Sequence, residues 1–570
     1  MKIILKEYLA SLRERGDLDH AVLPNLLSEL GLTVLNTPMI GTRQNGVDIA
    51  AVGKIRGEDD KKCLYLFCIK AGNISRNDWS ASPQSVYQEL NQIRDVYIRS
   101  NVSSEHTDLP IKICLCCGGE LEETILMDWA GYTENYSSNK INFELWNGDR
   151  LAEYMMKVFL ARELLEDDLR SNFQKAVATV TEPSTCYAYA FRFLKALLSL
   201  EFDNIKQRLF KLRQAYICIH TINGWAIEAG NLESIYTISE LGLLLSWDVI
   251  RKEKIPNRRT KHYNELVTIQ LQFIHLYIQM SEKYFRKTTY PYADKLHALS
   301  VAVKSREPVD VNLAMFELVG RLAIRGIWAN RLAKLIQDEN EETTKHLTDL
   351  IQKSIDTIVD VINNNPILNS PLKDDHMIEM ALIMMLAQQT NMVDRFLGWL
   401  HNVGILTSGA LLTNGPYPTC IRDYADLLSH PVDASEDYRK EACAGSILYP
   451  FLFLWLHNIN KESDIATFVS RLSDSIPDCT HQAWLPDEKT DDQLWSGGTN
   501  HGVCIIGLNP KIGREKMSEA LNNAYDKYNA ISEISAMKRN LYPLLLTACR
   551  HYRMPVPPTF WFSGPLSLFR

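Results

Sequence analysis

The sequence has no apolar run long enough to cross a bilayer. Its longest, ILYPFLFLWL from Ile447 to Leu456, is about half the length of a spanning helix and contains Pro450. The opening stretch MKIILKEYLASLRERGDLDH is interrupted by charge every few residues, so a secretory apolar segment is missing as well. These absences lead to the expectation of a cytoplasmic protein with no membrane partner. Glycine and proline are sparse, 27 and 22 of 570 residues, which excludes collagen-like and low-complexity chains. There is no G-x-x-x-x-G-K-[ST] loop, since GLNPKIGREK at 507–516 has neither the spacing nor the Lys-Ser/Thr end, and no ATP site is expected. A G-x-S-x-G elbow and an H-E-x-x-H helix are also missing. Nor is there an excess of positive charge. The net charge is −8, and residues 1–165 carry 18 Lys and Arg against 23 Asp and Glu. Any grip on a polyanion must therefore come from a local patch, a metal or a partner.

What is present is 46% hydrophobic and 23% charged residues, the balance of a globular chain, at a length that predicts two to four domains. The 12 cysteines sit at irregular spacings and read as reduced, core-packed thiols. Up to about residue 165 the pattern alternates between helical and strand-like periods. A helical stretch leads through Gly31 into three short apolar runs, LTVLNT, GVDIAAVG and CLYLFCIK, each bounded by polar or glycine-containing turns. A helix follows in SPQSVYQELNQIRDVYIRS, entered at Ser82-Pro83. Then come the strand IKICLCCGG, the helix ELEETILMDWAGYT, the strand INFELWNG and the helix DRLAEYMMKVFLARELLEDD. The order α-βββ-α-β-α-β-α predicts an α/β sandwich over residues 1–165. TVTEPST predicts a linker within 166–185. From 186 to 570 apolar residues recur at i, i+3, i+4 and i+7, which predicts a large all-α region, with an irregular solenoid as one arrangement that suits it and a loop-rich excursion near 476–512.

One constellation carries chemistry. Lys70 ends the third apolar run, 22 residues after Asp48 on the second. If the two runs pair as a hairpin through RGEDDKK, a carboxylate and an ammonium stand side by side. Hydrolysing a phosphodiester needs a divalent cation to polarise the phosphoryl oxygen and activate water, and a nearby cation to orient the nucleophile. The residue two before the lysine points to the same face, because strand side chains alternate, and here it is Cys68. A thiol is a poor magnesium ligand, and no second sulfur stands beside it in sequence to make a zinc site.

With its helix ending in ELGLTVL, the turn GTRQNGVDI, the strand ending in CIK and the later WNGDRLAE, the N-terminal region resembles the PD-(D/E)XK restriction-endonuclease-like superfamily, most nearly its Mrr-type branch. The resemblance covers about residues 1–165, and the rest of the chain resembles no family. It implies a catalytic centre at Asp48, Cys68 and Lys70. Mg2+ or Mn2+ would be held by Asp48 and the Ile69 carbonyl, and Lys70 would position water or stabilise the transition-state charge. It further implies a DNA-cutting effector of the kind found in bacterial phage defence, controlled by its helical region, by a partner such as a separate NTPase, or by self-association. Cys68 departs from the pattern, as do His20 and Ala21, where the family often has a glutamate in the helix before Gly31. Glu7, Asp19, Glu29, Gln84, Gln88 and Glu89 are the candidates to complete the metal site, and the sequence does not choose among them.

Weaker signals remain. Cys114, Cys116 and Cys117 in CLCC read as core packing, because alternation sends successive sulfurs to opposite faces. Cys479, His481, His501 and Cys504 fall within 26 residues, but an ordinary loop is favoured over a zinc loop for want of a paired Cys-x-x-Cys. RKEKIPNRRTK offers Arg251, Lys252, Lys254, Arg258, Arg259 and Lys261 for phosphate contact, although a solvated interhelical loop is the plainer reading. Arg76 and Trp79 follow Lys70 and would line a substrate groove, with Trp79 equally suited to capping the small domain's core. The alternative to an enzyme is a catalytically dead nuclease-like domain on a helical scaffold that senses nucleic acid or a protein.

Overall fold

The structure is a computed structural model that describes residues 2–12, 17–36, 45–55, 57–81, 85–159, 167–199, 204–253, 260–336, 341–459, 462–528 and 530–562. It divides into two compact units, Met1–Val249 with Glu253–Tyr277, and Ile250–Lys252 with Ile278–Arg570.

The first unit is built on a five-stranded sheet in the order β1-β2-β3-β4-β5. Helices α1 (Lys2–Ser11) and α2 (Leu23–Glu29) precede β1 (Leu32–Asn36), β2 (Ile49–Gly53) and β3 (Cys63–Lys70). Next are α3 (Arg76–Ser80), α4 (Val86–Gln92), a π-helical turn at Ile93–Tyr97 and α5 (Ile98–Ser100). The segment closes with β4 (Ile111–Cys117), α6 (Glu123–Tyr136), β5 (Ile141–Trp146) and α7 (Gly148–Phe159). The order of the five strands is the predicted one, while the single helices predicted before β1 and between β3 and β4 are each divided into shorter pieces. The Ser82-Pro83 helix entry lies outside the described residues, and the described helix starts after Ser85.

Strands β1, β2 and β3 pair antiparallel, and β3, β4 and β5 pair parallel. The parallel connections demand helical crossovers, which is why helices interleave with the last strands but not with the first three. β3 is central and buried on both faces, so CLYLFCIK reads as a continuous apolar run. Alternation divides its side chains. Leu64, Leu66 and Cys68 pack with Ile113 and Leu115 of β4 and with Trp79, Val86, Leu90 and Ile125 from the helices α3, α4 and α6. Tyr65 and Phe67 point the other way, against Trp146 of β5, which contacts Tyr154 of α7.

The first unit does not end near residue 165. It also holds α8 (Asp167–Ala178), α9 (Pro183–Leu198), α10 (Ile205–Glu228), all but the last residue of α11 (Leu232–Ile250) and the first part of α12 (Lys261–Thr288). The segment 166–185 is thus mostly helix rather than linker. The Glu182-Pro183 step that reads as a break is the start of α9, with Glu182 as N-cap and proline in the first turn, where its missing N–H costs nothing. Asn231 donates to the Val180 carbonyl at 2.6 Å and pins the turn.

The second unit is mainly helical, centred on Pro308–Ile336 packed by Glu341–Asn364, Met377–Gln389 and Tyr542–His551. The apolar run Ile447–Leu456 lies mostly in the buried helix Leu448–Ile459. The excursion near 476–512, expected to be loop-rich, contains two strands. β7 (Thr480–Leu485) pairs antiparallel with β8 (Val503–Ile506), and the two-residue β6 (Gly445–Ser446) pairs parallel with β7. They escape a sequence reading because β8 has only four residues and a 17-residue loop separates it from β7. Among the described residues no helix is long and apolar enough to cross a membrane.

Candidate metal centre

The β2–β3 hairpin does what the Asp48–Lys70 spacing anticipated. Its register pairs Ile49 with Phe67 and Gly53 with Cys63, so Asp48, one residue before β2, stands beside the end of β3. The Asp48 amide donates to the Phe67 carbonyl at 2.8 Å, and Asp48 Oδ2 accepts from the Ile69 amide at 2.7 Å. The first bond fixes the backbone of Asp48 and the second orients its carboxylate. The turn before it presses on α4: at Gly46, with φ +83°, an added Cβ would lie 2.5 Å from the Glu89 carbonyl oxygen. Only glycine fits such a turn at such an approach.

Opposite Asp48, α4 delivers Glu89. Its helix buries Val86, Glu89 and Leu90, and Ile93 continues the face one turn on. Glu89 Oε2 lies 2.7 Å from Lys70 Nζ and accepts from the Cys68 thiol at 3.1 Å. Ligand atoms of Asp48, Cys68 and Glu89 all fall within 4.8 Å of one another, and all three residues are buried. Among the described residues they are the one such group of three or more His, Cys, Asp or Glu. Burial, and then the neighbouring Glu89 carboxylate, push the Cys68 thiol well above its ordinary range, so without a metal it is a neutral donor.

Glu89 thus occupies the place that Cys68 leaves without an acid. The other candidates go elsewhere. Glu29 is engaged by Arg213 at 2.5 Å. Glu7 and Gln88 are exposed on their helices, Asp19 lies in the π-helical segment Asp17–Val22 outside this cluster, and Gln84 is outside the described residues. A sequence signal for Glu89 did exist. In VYQELNQI it is the one acid on the apolar face set by Val86, Leu90 and Ile93, and an acid on a buried face needs a partner.

The two carboxylates suit a divalent ion such as Mg2+ or Mn2+, which takes oxygen ligands, while the sulfur suits a softer one. For Ile69, expected to offer its carbonyl, the contact found is its amide on Asp48.

Other predicted residues are not brought to this centre. Trp79 is buried in the core beneath α3, in edge contact with Tyr87, Trp129 and Tyr132, so it caps the core instead of lining a groove. Arg76 is exposed on α3. In the second unit Arg251 is buried against Asp491 and Asp492, at 3.5 and 3.0 Å, which removes it from phosphate contact. In the first, Lys261 donates to the Thr33 hydroxyl at 3.3 Å. Lys252 is exposed, and Lys254, Arg258 and Arg259 lie outside the described residues. Cys114, Cys116 and Cys117 are core thiols of β4. His501 bonds the Gly498 carbonyl and Cys504 donates to Gln482, so the Cys479–Cys504 segment forms no metal cluster among the described residues.

Compared with protein-family models, with curated proteins and with solved structures, the chain shows no match in any of the three.

Proposed function

We propose that the first unit is a metal-dependent phosphodiesterase of the restriction-endonuclease-like type, acting on nucleic acid and on DNA in particular. The observation that carries this reading is the convergence of Asp48, Glu89 and Lys70 from a hairpin and a crossover helix onto one buried point. A divalent ion held by Asp48 and Glu89 would supply Lewis acidity toward a phosphoryl oxygen and a more acidic bound water. The protein's own part is to fix the ligands and to place charge. Asp48 is oriented by the Ile69 amide, and Glu89 by the packing of α4 around it. Lys70, at the last position of β3, supplies an ammonium that can orient a nucleophile or stabilise charge growing on the phosphoryl group. By its resemblance, the enzyme would serve in antiviral defence, with the helical second unit controlling activation through a partner or a second copy. The net negative charge fits a cutter that needs such help to reach DNA.

A second reading has its own observation. Lys70 already neutralises Glu89, as in a closed structural ion pair, which favours a catalytically dead domain that binds nucleic acid or a protein. Plasmid cleavage by the full chain, with Mg2+, Mn2+ or chelator, separates the two. The enzyme reading expects metal-dependent cutting that falls about a hundredfold or more in Asp48→Ala, Glu89→Ala and Lys70→Ala. Cutting that survives Glu89→Ala sinks the assignment of that residue. No cutting with any metal, in the presence of candidate activators, favours the scaffold.

A further inference from the structure

We infer that Cys68 is a metal ligand, and that its sulfur makes the centre select a borderline transition ion such as Co2+ or Zn2+ over the hard ions Mg2+ and Mn2+. The inference rests on reading the Asp48 cluster as a metal centre, and it adds which ion that centre takes.

The geometry leaves an ion little room to avoid the sulfur. Cys68 is wholly buried in the central strand, between β2 and β4, and its Sγ is 3.1 Å from the same Glu89 oxygen that would bind the ion. Metal–oxygen and metal–sulfur bonds of about 2.0–2.3 Å place cis or tetrahedral ligand atoms about 3–4 Å apart. The three donor atoms of Asp48, Cys68 and Glu89 already lie within 4.8 Å of one another, so closing on one ion needs shifts of about an ångström or less. A serine or aspartate on β3 would have completed an oxygen site for Mg2+. A sulfur there weakens binding of a hard ion and strengthens that of a softer one.

The cluster is not a structural zinc site either. Cys114 and Cys116 occupy the opposite face of the sheet, and the Cys117 thiol is turned to the Gly119 carbonyl. One sulfur and two carboxylates leave coordination positions for water, as catalytic sites do and closed sites of four cysteines do not.

The test is metal binding by the full chain, followed by calorimetry and, for Co2+, by absorption. A thiolate ligand gives Co2+ a near-ultraviolet charge-transfer band that carboxylates do not give. The expected result is a one-to-one Co2+ complex with that band in the wild-type protein. Cys68→Ser should lose the band and bind Co2+ and Zn2+ at least about tenfold more weakly, with Mg2+ affinity no lower than before. Cys68→Asp should move the preference toward Mg2+. Binding of Co2+ without the band, or an unchanged metal order in Cys68→Ser, would overturn the inference. The wild-type spectrum does not depend on any variant folding. Neither measurement needs catalysis: the band in a chain that cuts nothing even with candidate activators counts against the nuclease reading alone, and cutting without the band sinks this one alone.

Discussion

On one face of the sheet Lys112 stands 2.6 Å from each of two carboxylates, Asp59 and Glu144; on the other, Lys70 stands 2.7 Å from Glu89 with Asp48 close by. The ingredients are nearly the same, a strand lysine and two acids largely withdrawn from solvent. The surroundings differ. Asp59 Oδ2 accepts from the Tyr65 hydroxyl at 2.5 Å and the Ile55 amide at 2.6 Å, while Glu144 Oε2 accepts from Trp146 and Arg150 at 2.9 and 3.1 Å. Each acid there is held by rigid donors that belong to the fold, and the network ties the β2–β3 turn to α7 through Arg150, Tyr154 and Glu58. In the Asp48 cluster one backbone amide, that of Ile69, holds Asp48, the donors on Glu89 are a weak thiol and a flexible ammonium at a strand end, and ligand atoms converge instead of being shared out. The comparison separates a lock from a socket: fully satisfied acids stabilise, whereas converging acids held by exchangeable donors can bind an ion.

The lock gives the largest expected effect. Asp59→Ala leaves Lys112 beside Glu144 alone and the Tyr65 hydroxyl and Ile55 amide without their acceptor, and should destabilise the first unit by about 3–5 kcal/mol in urea unfolding, with metal affinity untouched. An unchanged midpoint would mean that the two faces are not different in kind. The socket responds in the opposite way. Glu89→Gln should weaken Mn2+ binding by about a hundredfold, while Glu144→Gln, its counterpart across the sheet, should leave it unchanged in the same calorimetric titration.

A smaller effect sharpens the contrast. Because Lys70 shares Glu89 Oε2 with the incoming ion, Lys70→Met should tighten Mn2+ binding by about tenfold even as it removes cleavage. Weaker binding in that variant would show that Lys70 supports the ion instead of competing with it. The smallest effect lies in pH. Burial pushes the Asp59 carboxyl up, but hydrogen bonds from Lys112, Tyr65 and the Ile55 amide outweigh it and hold the group below the ordinary carboxylate value of 3.8. Its contribution is therefore complete above that value and is lost as pH falls through the lower folded one. Asp59→Asn should flatten this acid limb of the first unit's stability curve, and an unaltered limb would place the acid sensitivity elsewhere.

Much of the first unit was legible because it is patterned locally. Each strand is a short apolar run between polar turns, and the parallel pairs are separated by helical stretches of the length a crossover needs. The Asp48–Lys70 neighbourhood was legible for the same reason, since a hairpin turns sequence spacing into spatial pairing. The unit's true extent was not. A Thr- and Pro-rich stretch looks like a linker until Pro183 is seen in the first turn of a helix packed on its predecessor. Trp79 and Arg251 carry no local mark of burial, and only the elements that close over them decided it.

By itself, the sequence determined the order of strands and helices, the β2–β3 pairing that sets Asp48 beside Lys70, and the thiol at position 68. Only the tertiary structure decided which acid answers that thiol. Glu89 is 21 residues from Cys68 on a different element. Helical periodicity shows which way it faces along α4, but where α4 lies on the sheet follows from the packing of Val86, Leu90 and Ile93 into a core shared by strands β2 to β5 and the helices laid over them. That placement is a property of the whole core, and no local pattern encodes it.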